Sequence, residues 1–165
     1  MFAQNLRKRI TAIIIQLTHA DAQNISNVAK SSYYRAAAVL ICTVVEGLVY
    51  YLVAKHSNRG IIGIRKELKQ LHAIPSSVLK EGDIVLAKKI TTDIHINDEG
   101  VNFQKLNQYL KKHSIISNSE FKKLQFVRTE RNKLHVQGIK GPDVGYTKKK
   151  IQKLTEPMDF LTKKI

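Results

Sequence analysis

The sequence predicts an all-α domain, and three observations carry that expectation. Apolar residues recur at three- and four-residue spacing along much of the chain. One run, Ala36 to Ala54, is almost wholly apolar and too long for an ordinary strand. "SNSE", Ser117 to Glu120, has the form of a capping box, with Ser117 as cap and Glu120 at the third helical position. The 165 residues suffice for a core of their own, so residues 1–165 are read as a single helical domain.

The elements follow in order. Phe2, Leu6, Ile10, Ile13, Ile14 and Leu17 fall on one side of an amphipathic first helix. The apolar stretch "ITAIII" inside it is brief for a secretion signal, and no clear cleavage site follows. "SSYYR" offers Ser31 or Ser32 as the cap of a long central helix reaching about Lys55. That helix could span a bilayer by length, but Glu46 stands near its middle. A carboxylate there costs about 2.5–3.5 kcal/mol on insertion. The expectation is therefore a soluble core helix covered on most sides, with no membrane partner.

"HSNRG" breaks the central helix. "IRKELKQLHAI" reads as a short helix ending near Pro75. "SVLKEGDIVLAKKI" fits more than one structure, and "TTDIHINDEG" reads as extended or loop. "FQKLNQYLKKHS" is helical. The capping box opens a helix over about 119–137, which "GIKGPDVG" closes with three glycines and a proline. A basic helix over about 147–163 ends the sequence.

Charge points to the partner. Lys and Arg number 28 and Asp and Glu 13, a formal net charge of +15. Solubility needs far less, so a polyanion is implied, and nucleic acid is the commonest one. The single cysteine, Cys42, excludes an intrachain disulfide and a cysteine-based zinc site, and fits a reducing cytoplasm. No HExxH pair and no Gly-Lys phosphate loop occurs, so neither a metal nor a cofactor is expected.

The chemistry-bearing residues cluster in "FVRTERNKLHVQG", Phe126 to Gly138. Phe121, Leu124, Arg128, Arg131 and His135 are spaced as one helical stripe. It starts apolar and turns cationic, at the edge of a core or interface, where polar groups need a partner. Arg131 and His135 lie about 6 Å apart along the axis, close enough to address one phosphate. A guanidinium suits a phosphate fork, and an imidazole suits proton transfer near neutral pH. Asn132 is placed to orient the ring or a ligand. The competing reading is structural: the arginines pair with Glu120, Glu130 or Glu46, and His135 meets the carbonyls at its helix end. Glu46, in an apolar helix, is expected to approach Arg128 or Arg131. Tyr33, Tyr34, Tyr50 and Tyr51 read as core and interface residues in preference to base-stacking platforms.

"RNKLHVQG" resembles the signature of HEPN domains, small all-α domains often built round a four-helix bundle. That signature is an arginine, commonly followed by asparagine or another polar residue, and a histidine after four to six intervening residues. Six separate Arg128 from His135, whereas Arg131-Asn132 supplies the "RN" pair with three between. Either arginine is open as the equivalent one. "YYRAAAVLICTVVEGLVYYL" is similar to the family's apolar helix with an acid near its centre, and the likeness extends over most of Ser31 to Gly138. The resemblance implies a HEPN-like bundle and a metal-independent endoribonuclease that cuts RNA by 2′-hydroxyl transesterification. Arg128, Arg131, Asn132 and His135 would be catalytic, with Glu46 supporting. It also implies a homodimer with a composite cleft, and a setting in growth control or antiviral defence with an antitoxin or regulatory protein as a further partner. The alternatives are a HEPN-like module that binds RNA or protein without catalysis, and a helical interaction protein whose cluster is an ion-pair network.

Overall fold

A computed structural model of the chain describes residues 2–70, 87–136 and 145–165. Among these the fold is largely helical, with one small sheet. Helix α1 spans Phe2–Ala20 and α2 spans Asn27–His56. Strands β1, Ile61–Gln70, and β2, Ala87–His95, form an antiparallel hairpin. Then come α3, Phe103–Lys112, α4, Asn118–Val136, and α5, Lys148–Lys164.

Helix α2 is the axis of the core. Its buried residues, among them Ala38, Ile41, Val45, Leu48, Val49 and Leu52, lie on about half of its circumference, whereas Val39, Tyr50 and Tyr51 elsewhere round the helix are exposed. Helices α1, α3, α4 and α5 all pack on α2. It is the one helix among the described residues long and apolar enough to cross a membrane, with mean hydropathy 2.1 over its most apolar window and 56% of that window buried. Helix α5 contributes Ile151, Leu154 and Leu161, and α4 contributes Leu124 and Val127. Helix α1 buries Ile13, with Leu6 and Leu17 partly covered, but leaves Ile14 exposed.

The start of α2 differs from expectation. Its cap is Ser26, whose Oγ accepts from the Ala29 amide at 3.2 Å, so Ser31 and Ser32 lie inside the helix. The polar first turns hide the earlier start from a reading based on the apolar run. The capping box of α4 is present in both halves. The Ser117 amide donates to Glu120 Oε2 at 2.7 Å, and the Glu120 amide donates to Ser117 Oγ at 3.2 Å.

The hairpin corrects the all-α expectation, and the fold is helical with a two-stranded sheet. "IRKELKQ" is strand β1, not a helix. Arg59 and Gly60 take positive φ of 52° and 79°, which turns the chain out of α2. The Ile96 amide then donates to the Gly60 carbonyl at 2.8 Å and closes the base of the hairpin. Residues 71–74 of that expected helix, most of "SVLKEGDIVLAKKI" and nearly all of "GIKGPDVG" lie outside the described residues.

Candidate functional site

Helix α4 explains the arrangement of the cluster. Its core side carries Leu124 and Val127, both fully buried, with Leu134 partly covered. At about 100° per residue, Arg131 falls between Leu124 and Val127 round the axis, inside this buried arc. Arg128 falls at its edge, next to Phe121. Helix α2 faces the arc, and Cys42 Sγ lies 3.9 Å from the Val127 carbonyl oxygen. Burial pushes the Cys42 thiol up to about 12, so it is no nucleophile near neutral pH.

Four residues beyond Cys42, Glu46 meets Arg131. Glu46 Oε2 forms an ion pair with Arg131, 3.0 Å from its Nε, with the side chains 30% and 36% exposed. The expected approach of Glu46 to one of the two arginines is therefore to Arg131. The pair is made through Nε, and about a third of the Arg131 side chain stays accessible to solvent. Arg128 is held within its own helix, where its Nη1 donates to Gln125 Oε1 at 2.9 Å. Asn132 is exposed. His135 lies in the last turn of α4, and its side chain lies outside the described residues.

Glu46 also borders a cavity of about 350 Å³ between α1 and α2, shared with Arg9 and Tyr50. Arg9 thus brings a guanidinium to the same cavity as Glu46. The sequence carried a sign of this, because Arg9 stands three residues after Leu6 and four before Ile13, beside the apolar stripe of α1. Tyr50, 39% exposed, donates to Asn97 Oδ1. Tyr34 is buried and Tyr33 stacks on His19, whereas Tyr50 and Tyr51 reach the surface.

The acids named as structural partners of the arginines are mostly engaged elsewhere. Glu120 closes the capping box and faces Lys164 at 3.6 Å. Glu130 is 2% exposed and takes Lys150 at 2.7 Å and Lys133 at 2.8 Å. Burial works to raise the Glu130 carboxyl, but its bonds to Lys133 and Lys150 outweigh it and hold the pKa below the ordinary value. The Tyr146 hydroxyl donates to the same carboxylate at 3.4 Å, and Tyr146 is pushed upward by burial and by that charge. Glu130 was hidden by its charge. Its position gave a signal nonetheless: Val127, Glu130 and Leu134 are spaced three and four, on the buried stripe.

Two groups of basic and acidic residues therefore flank the core side of α4. One is a closed ion cluster round Glu130. The other, round Glu46, is partly exposed to solvent. Among the described residues, no group of three or more His, Cys, Asp or Glu side chains is placed to hold a metal ion. No family model matches the chain, and neither a curated protein nor a solved structure matches it.

Proposed function

We propose that this protein is a metal-independent endoribonuclease of HEPN type. The supporting observation is the partly exposed Arg131, held through Nε beside Glu46 at 3.0 Å with 36% of its side chain open to solvent. A guanidinium fixed from one side presents a fork to a phosphate without losing further rotamer freedom. In this reading Arg131 and Arg128 hold the scissile phosphate and stabilise the charge that develops on it. His135 takes the proton of the 2′-hydroxyl or returns one to the leaving 5′-oxygen. The 2′-oxygen forms its bond to phosphorus as the P–O5′ bond breaks, leaving a 2′,3′-cyclic phosphate. Asn132 positions the ring or the substrate. The excess of cations gathers the RNA and makes binding salt-dependent. The setting is a cytoplasmic growth-control or antiviral system. The working unit is a homodimer, in which RNA phosphate relieves the repulsion of two cationic edges, with an antitoxin or regulatory protein as a further partner.

The test is RNA cleavage in EDTA by the parent and by His135→Ala, both checked for folding by circular dichroism. Cutting by the parent that the variant loses is the expected result. No cutting by either, with RNA still bound, supports the second reading, a HEPN-like binding module without catalysis. One observation favours that alternative: Glu46 already neutralises the arginine of the "RN" pair. Absence of both cutting and binding would refute the two readings together.

A further inference from the structure

The β1–β2 hairpin packs on the bundle only at its base, where Ile62 meets the core and Ile62 and Ile94 border a cavity with α3. Its two strands pair with each other, and both outer edges are free among the described residues. The residues from Ile64 to Lys69 are exposed on both faces, as are Lys88, Lys89 and Thr91 to Asp93. Ile64 is 61% and Leu68 76% exposed. A lone two-stranded hairpin is marginal in water, and free edges invite a partner.

Charge identifies that partner. The register sets Lys69 directly opposite Lys88, and Leu68 opposite Lys89. Like charges facing each other across a ladder destabilise it. Lys66 shares the face of Lys89, one pair removed. None of these four lysines has an acidic partner among the described residues, whereas Arg65 leans on Glu67 at 3.6 Å. A second copy of the chain would bring more positive charge to the same place, since each carries +15. An anion seated between the lysines removes the repulsion.

We propose that the hairpin is a second RNA-contacting element, an arm whose Lys66 and Lys89 on one face and Lys69 and Lys88 on the other hold the phosphates of a strand that wraps its end and also reaches α4. Ile64 and Leu68, interleaved with Lys66 and Lys89 on one face, give apolar contact to its bases. This rests on the RNA reading above but not on catalysis.

The test uses 2′-O-methyl RNA, which keeps the phosphates and lacks the attacking hydroxyl. Affinity is measured against salt for the parent, for the variant with alanine at Lys66, Lys69, Lys88 and Lys89, and for a control with alanine at Lys8, Lys149, Lys153 and Lys163, exposed lysines of α1 and α5. Helical circular dichroism verifies that each protein is folded. At about 0.7 per phosphate for single strands, losing four contacts flattens the slope of log K on log salt by about 3. The control loses much less. In the parent, RNA also slows hydrogen exchange of the β1 and β2 amides. Equal losses in the two variants, or no loss in either while the parent binds, would overturn the arm and leave the RNA reading standing. A parent that binds no RNA would overturn both.

Discussion

Glu130 links α4 to Lys150 of α5 at 2.7 Å, and Glu130→Gln measures what that link contributes. The substitution keeps the shape of the side chain and removes its charge. It leaves the ammonium groups of Lys150 and Lys133, 2.7 and 2.8 Å away, facing a neutral amide. Removing one partner of a fully buried ion pair costs about 3–5 kcal/mol. The lysine side chains here are 28% and 48% exposed and can turn toward water, so the full penalty does not apply. A loss of about 2–3 kcal/mol follows once that solvent screening is discounted. For a chain of this size each kcal/mol moves Tm by about 2–4 °C, so the melting temperature should fall by roughly 5–10 °C. The sign of the pH dependence is fixed as well. The folded carboxyl has a lowered pKa, so its stabilisation is present above the ordinary glutamate value and is lost as pH falls through the folded one. Parent and variant should therefore differ most near neutral pH and converge in acid. Urea unfolding followed by circular dichroism, from neutral pH downward, makes the measurement. A difference below about 0.5 kcal/mol, or one that widens in acid, would show that the cluster contributes no more than a surface ion pair.

Two further outcomes are expected. Glu46→Gln should strengthen RNA binding modestly, because one negative charge leaves the site, while slowing cleavage because Arg131 loses its orientation. A variant that binds and cuts like the parent would mean that Glu46 has no positioning role. Asn107 is fully buried on α3, and neither amide atom has a hydrogen-bond partner among the described residues. Asn107→Leu keeps the branched outline but is bulkier, so the removal of two unsatisfied polar atoms, partly offset by tighter packing, should raise stability by about 1 kcal/mol in the same urea experiment. A destabilised variant would show that the amide is satisfied in solution.

The helices were legible because their signals are local. The capping box at Ser117 and Glu120 needs four residues, and the central helix needs only its own apolar run. The hairpin was not, for a physical reason. Ile64 and Leu68 are four apart with charges between, a helical period, and Lys, Glu, Leu and Gln are good helix formers. What makes this stretch a strand is its ladder to residues 87–95, well along the chain, and the positive-φ turn at Arg59 and Gly60. Local propensity is a weak prior, and the ladder to β2 overrides it here.

The site was legible in part. The stripe placed Arg131 on the packing side of its helix, and the only carboxylate in the long apolar run was its natural counterpart. The same stripe treated Arg128 and Arg131 as equals. Round the helix axis they differ: Arg131 falls within the buried arc, and Arg128 at its margin. Burial thus distinguishes the two arginines where spacing could not. Arg131 pairs across the helices with Glu46, and its side chain emerges from the arc of Leu124 and Val127 partly exposed to solvent. Arg128 can be satisfied by Gln125 on its own helix and stays free to move toward a ligand. If RNA is cut here, the two are suited to different tasks: Arg131 as the fixed fork at the reacting phosphate, Arg128 as the adaptable contact to its neighbour.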